Sequence, residues 1–191
     1  MGEAGLSVME VIRENGFEPA DEGERQKVLG ALFQAETAAQ MQSDGAAYAQ
    51  FLSRQKGVGP GKLGVVGYCF TGAMALRTAA AVPDMIAAAA SLHGGMLVTD
   101  RPDSPHLQLP RVTARLYFGH AVEDRSMTAD QIATLEQALR DWHGAFQSET
   151  YEGARHGWTV PGRDVYNELQ AERAFEKLVE LFDATLKGGE K

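Results

Sequence analysis

The spacing of apolar residues changes character near residue 56. Before it they recur at helical intervals; after it short apolar runs alternate with helical stretches. In 23–55, Val28, Leu32 and Phe33, then Tyr48, Phe51 and Leu52, predict helix, and "SDG" at 43–45 predicts a break into two helices. A shorter helical patch, "LSVMEVIREN" (6–15), ends at Gly16. After the turn "GVGPG" (57–61), "KLGVVGY" (62–68) predicts a buried strand and "TGAMALRTAAAV" (71–82) a helix stopped by Pro83. "MIAAAASLH" (85–93) is a strand by its place in the alternation, although its alanines favour helix. "RVTARLYFGH" (111–120) contains a strand rich in β-branched and aromatic residues. "TADQIATLEQALRDWHG" (128–144) predicts a helix with a Thr128…Gln131 capping box and Gly144 as its stop. "SETYEG" (148–153) predicts a short strand. Residues 165–189 predict a long amphipathic helix with Phe175, Leu178, Leu181 and Phe182 packed in the core.

Alternating strands and helices specify an α/β fold, a mostly parallel sheet flanked by helices. The length suits a single domain over 1–191, with 1–55 a mostly helical N-terminal region and 56–191 the core. The net charge of −8 opposes non-specific binding to nucleic acid or anionic membrane. One cysteine makes no internal disulfide, and the acidic start lacks the basic residues and apolar core of a signal peptide. No run approaches the roughly 20 apolar residues of a membrane span. These features predict a cytoplasmic protein with no nucleic-acid or membrane partner. The scattered histidines offer no zinc spacing, so neither metal nor cofactor is expected.

In such sheets, sites form at the carboxyl ends of strands. Cys69 falls there, at a strand-to-helix turn where the helix N-terminus favours thiolate. Gly67 and Gly72 leave room for the close approach of strand and helix. Gly-x-Cys-x-x-Gly is near the nucleophile elbow Gly-x-Ser-x-Gly, with Thr71 at the usual second Gly. The competing reading of a lone cysteine is a buried structural residue. His156 in "YEGARHGWT" follows another strand and is a candidate base; Asp124 in "FGHAVEDRSM" follows a third and is a candidate orienting acid. Nucleophile, acid, histidine is the α/β-hydrolase chain order. His93 and His120, at strand ends, and Trp158 are candidate pocket residues, with turn and core roles as the alternatives. His106 and His143 read as solvated.

"GYCFTGAMAL", "SLHGG", "VTDRPDSPHL", "YFGHAVEDRSM" and "YEGARHGW" together resemble the dienelactone hydrolase family of α/β-hydrolases, from about residue 55 to about 187. The resemblance implies a triad of Cys69, His156 and Asp124 acting on ester or lactone substrates through an acyl-thioester, with the Phe70 backbone N–H as an oxyanion donor. It also implies strands before the nucleophile strand, a second oxyanion donor and a glutamate that partners the resting thiol. Nothing before residue 62 matches these. The expectation is therefore an N-terminally truncated domain, weakly active or inactive, whose strand at 63–67 is an exposed edge that invites self-association. The family's substrate-binding arginine four residues after the histidine is replaced by Val160, the nearest arginine being Arg163, which favours a broader ester or lactone preference. Two other readings compete: a catalytically impaired homologue serving as an interaction module or remnant, and a redox-sensing thiol, which lacks a resolving cysteine.

Overall fold

The computed structural model describes residues 21–32 and 35–187. The patch at 6–15 lies outside them. The chain divides into two compact units, Met1–Met41 and Gln42–Lys191. In the first, Asp21 accepts the Glu24 N–H at 2.9 Å and opens helix α1, Glu22–Leu32. Helix α2, Ala35–Leu52, passes without interruption through 43–45, where the sequence predicts a break. The reason lies at Gly45, where a Cβ would stand 2.2 Å from Thr78 Oγ1. This glycine permits close packing against the following helix rather than ending its own.

The second unit is built on a wholly parallel four-stranded sheet in the order β1-β2-β3-β4. The strands are β1 (Leu63–Tyr68), β2 (Ile86–Leu92), β3 (Arg115–Glu123) and β4 (Phe146–Arg155). Helices α3 (Phe70–Ala81), α4 (Ala129–Trp142) and α5 (Glu168–Leu186) connect or follow them. The alanine-rich segment is a strand, β2, because it lies between two parallel neighbours with both faces buried. Its Ala89 joins one core and its Ala88, Ala90 and Leu92 the other. In the first core Leu76 and Ala79 of α3 and Leu135 and Leu139 of α4 meet Leu116 and Phe118. In the second, Ala174, Leu178 and Leu181 of α5 meet Tyr117, Tyr151 and Trp158. This alternation along each strand is what covers both faces of the sheet.

Several details differ from expectation. Residues 105–111 form a 3₁₀ turn, and β3 begins after it and runs on to Glu123, so His120 lies inside the strand. The Thr128–Gln131 capping box is formed, but the left-handed residue that ends α4 is His143, at φ 60°. Phe175 of α5 is 61% exposed rather than packed in the core, and Leu169 and Val179 are exposed beside it on the outer face of the helix. Among the described residues β1 pairs with β2 alone, leaving Val66 and Tyr68 exposed along an edge.

The parallel arrangement has one consequence for chemistry. All four strands end on the same side of the sheet. The residue directly after each is, in order, Cys69, His93, Asp124 and His156. The first of these turns is the tightest. Cys69 has φ 55° and ψ −128°, and it is followed at once by α3. A Cβ at Gly67 would lie 2.0 Å from the Thr71 carbonyl oxygen, and one at Gly72 would lie 2.2 Å from Ser91 Oγ and 2.8 Å from Gly94 Cα. Gly67→Ala is expected to cost about 1–3 kcal/mol, because the obstacle is backbone that cannot swing aside. Urea unfolding of the variant beside the wild type measures this; an unchanged midpoint and slope would show that the turn relaxes freely.

Candidate active site

The sequence dictates the strain at Cys69. A non-glycine residue with positive φ is uncommon and persists only where its surroundings fix it. Here Thr71 fixes them: its hydroxyl donates to the Tyr68 carbonyl at 2.8 Å and accepts the Tyr68 N–H at 2.9 Å. Thr71 stands where the usual elbow has a second glycine, and its side chain is used to tie the turn. The turn lifts the Cys69 sulfur to the surface at the N-terminus of α3. The Phe70 backbone N–H hydrogen bonds that sulfur.

Cys69, His156 and Asp124 form one unbroken hydrogen-bonded chain. His156 Nε2 lies 3.0 Å from Cys69 Sγ, and His156 Nδ1 lies 2.7 Å from Asp124 Oδ2. The carboxylate is shielded, with a side chain 2% exposed, while the imidazole is 32% exposed. Ser126 completes the acid's surroundings. Its backbone N–H and its hydroxyl donate to Asp124 Oδ1 at 2.7 and 2.6 Å, and its Oγ lies 3.1 Å from His156 Nδ1. The motif "DRS" encodes this, since an Asp side chain commonly bonds the backbone two residues on.

The electrostatics follow from these contacts. The hydrogen bond to His156 lowers the Cys69 pKa from its ordinary value; burial opposes this, and the His156 charge and the Phe70 N–H assist it. His156 is pushed up to about 10 by its hydrogen bonds to Asp124 and Cys69. Burial works against the Asp124 carboxylate, but the bonds from His156 and Ser126 outweigh it and keep its pKa below the ordinary carboxylate value. The contacts thus favour charge on both partners, a thiolate on Cys69 and a proton on His156, with Asp124 holding the imidazole.

The three candidate pocket residues lie elsewhere. Trp158 is wholly buried in the core, its ring 5.0 Å from that of Tyr151, so it packs rather than walls a pocket. His120 is buried within β3 and stacked on Phe118 at 6.2 Å. The cause is the extra length of β3 beyond residue 120. His93 is also buried, beneath the elbow, with φ 40°. The open cleft beside the triad, of ≈ 690 Å³, is lined instead by Glu123, Arg125, Ser126, Arg155, His156 and Val165. Sequence reasoning missed Arg125, Arg155 and Val165, which carry no motif. Among the described residues no group of three or more His, Cys, Asp or Glu is placed to hold a metal ion, and no helix is long and apolar enough to cross a membrane.

The model of the dienelactone hydrolase family matches residues 7–186. A protein of Synechocystis sp. provisionally named carboxymethylenebutenolidase is 31% identical over 144 residues, which cover 74% of this chain and 56% of that protein. A protein of Aquifex aeolicus with the same provisional name is 25% identical over 129 residues, 67% of this chain and 53% of its own length. The chain thus spans about half the length of the curated relatives it matches. Among solved structures, one from Klebsiella pneumoniae provisionally titled a dienelactone hydrolase superposes with a TM-score of 0.76, covering 91% of this chain and 72% of that one at 23% identity. A dienelactone hydrolase-like promiscuous phosphotriesterase from metagenomic libraries gives 0.72, covering 86% and 69% at 18% identity.

The pKa directions set the pH dependence. A thiol with a lowered pKa loses its thiolate only when pH falls through the lowered value. A histidine with a raised pKa keeps its proton until pH rises through about 10. Alkylation of Cys69 by iodoacetamide is therefore expected to show an acid limb below the ordinary thiol pKa of about 8.5. His156→Gln should move the limb up to about that value and slow alkylation at pH 7 by roughly tenfold or more. Rate constants from pH 4 to 10 decide it; identical limbs in both proteins would rule out the ion pair.

Proposed function

Because the chain belongs to the dienelactone hydrolase family, we propose that it hydrolyses carboxylic esters or lactones through Cys69, His156 and Asp124. The observation that carries this reading is the continuous Asp124–His156–Cys69 hydrogen-bonded chain, with links of 2.7 and 3.0 Å. In this reading 56–191 is the nucleophile-to-histidine core of the domain. The carboxymethylenebutenolidase name of the relatives supports a lactone or ester as the substrate class.

The chemistry then proceeds in two halves. The Cys69 thiolate attacks the carbonyl carbon, forming a C–S bond and moving the carbonyl π electrons onto oxygen. The Phe70 N–H, at the positive end of α3, turns from the thiolate to that oxyanion. Collapse of the tetrahedral adduct breaks the C–O bond to the leaving alcohol, which takes its proton from His156 Nε2. An acyl-thioester on Cys69 remains. His156, now neutral, takes a proton from water as the water attacks the thioester carbonyl. The thiolate leaves, the acid is released, and the thiolate–imidazolium pair is restored. Asp124 stays ionised throughout and holds His156 Nδ1–H in place. Ser126, through two hydrogen bonds, holds Asp124.

p-Nitrophenyl acetate tests the reading. Cys69→Ala is expected to abolish turnover, and Asp124→Asn to reduce kcat by about 10²-fold or more while leaving KM little changed. Turnover that survives in folded Cys69→Ala would refute the assignment. A folded wild-type chain with no turnover would favour the impaired-homologue reading. We further propose that the β1 edge, with Val66 and Tyr68 exposed, pairs with a second copy of the chain. Light scattering should then give a mass that rises with concentration, and a constant monomer mass would refute it.

A further inference from the structure

His93 is the one strand-end residue of the four to which the mechanism above gives no part. It follows β2, between the elbow of Cys69 and the turn of Asp124, and its side chain is buried. A buried, unpaired imidazole is costly, and this one is fully engaged. Its Nδ1 accepts the Cys69 backbone N–H at 3.1 Å, a donor also shared with the Leu92 carbonyl at 3.1 Å. With Nδ1 accepting, the proton is on Nε2, which donates to Thr159 Oγ1 at 2.8 Å. Thr159 is three residues beyond His156, on the same loop. The His93 ring also meets the His156 ring edge-on at 5.2 Å and the Trp158 ring at 5.1 Å.

The backbone around His93 makes a second set of ties. The Gly95 N–H donates to the Cys69 carbonyl at 3.2 Å, and the Met96 N–H donates to the Ser126 carbonyl at 3.2 Å. The segment 93–96 therefore touches all three turns: the nucleophile's through Cys69, the acid's through Ser126, and the histidine's through Thr159. Positive φ values at His93 (40°) and Met96 (57°) bend it into that place. Burial, and then the neighbouring His156 charge, push His93 down to about 4. It stays neutral at working pH and its Nδ1 remains an acceptor.

We infer that His93 is a positioning residue: its imidazole clamps the Cys69 backbone to the His156 loop through Thr159 and so sets the Cys69 Sγ–His156 Nε2 distance. This rests on the reading of Cys69, His156 and Asp124 as a triad. His93 is buried and bonds the Cys69 backbone and Thr159 rather than the sulfur, so it acts through the geometry of the pair. A loosened clamp lengthens the 3.0 Å contact, weakens the hydrogen bond that lowers the thiol pKa, and raises that pKa toward its ordinary value.

The test is the pH profile of Cys69 alkylation by iodoacetamide in the whole chain, which has no other cysteine to contribute background. Three variants are compared with the wild type. Thr159→Val removes one end of the clamp without altering side-chain shape. His93→Leu removes both ends. His93→Asn restores an acceptor near Cys69 N–H and tolerates the positive φ. Circular dichroism and a thermal melt identify folded protein. The expected result is an acid limb displaced upward in Thr159→Val and His93→Leu, with alkylation at pH 7 slowed by roughly tenfold in the latter, and partial recovery in His93→Asn. A purely structural His93 would lower the melting temperature and leave the limb of the folded protein where it is. A folded Thr159→Val with the wild-type limb would overturn the inference, even should His93→Leu not fold. A wild-type limb already at the value of a free thiol would overturn the triad reading, and this one with it.

Discussion

The left-handed backbone of Cys69 is the constraint on which the rest of the site depends. At φ 55° the chain leaves β1 and enters α3 within a single residue. That reversal brings the sulfur to the surface, aims the Phe70 N–H at it and places it at the positive end of the helix. A cysteine does not adopt such a conformation unaided. Gly67 and Gly72 admit the backbone contacts the turn requires, and Thr71 bonds both polar groups of Tyr68. The strain is thus met by neighbours within four residues.

What the turn provides is useful only because the sheet is parallel. Parallel pairing puts the ends of β1, β3 and β4 on one side, so three residues distant in sequence meet without any long loop. Their interaction is electrostatic and mutual. The hydrogen bonds from Asp124 and then Cys69 raise His156 to about 10, the second of them also lowers Cys69, and the shielded Asp124 carboxylate fixes which nitrogen of the imidazole faces the sulfur. These directions favour a pair that is charged before attack, whereas a serine in the same place would have to lose its proton during it.

Much of this was legible in the sequence, for identifiable reasons. The nucleophile turn carries its own signature in two glycines around a cysteine. The chain order of Cys69, Asp124 and His156, each after an apolar run, gave the site its topology. The family resemblance added the roles, and the family match over 7–186 bears the resemblance out. The alanine run of β2 reads as helix by propensity and is a strand because tertiary pairing overrides propensity. Gly45 reads as a helix breaker because a close approach to Thr78 is invisible in one dimension. His93, His120 and Trp158 read either as pocket residues or as turn and core residues, because position along the chain does not tell whether a side chain points out of the sheet or into the core; all three are buried. His93's bonds to Cys69 and Thr159 span 24 and 66 residues, a separation no local pattern encodes.

The central claim is that Cys69 becomes acylated during ester cleavage. The most direct measurement is acid quenching of the chain within the first turnovers of p-nitrophenyl acetate, followed by peptide mass spectrometry. The account predicts the mass of one acetyl group on the peptide containing Cys69, and none there in Cys69→Ala. Acetylation at another residue, or ester consumption with Cys69 never modified, would contradict it.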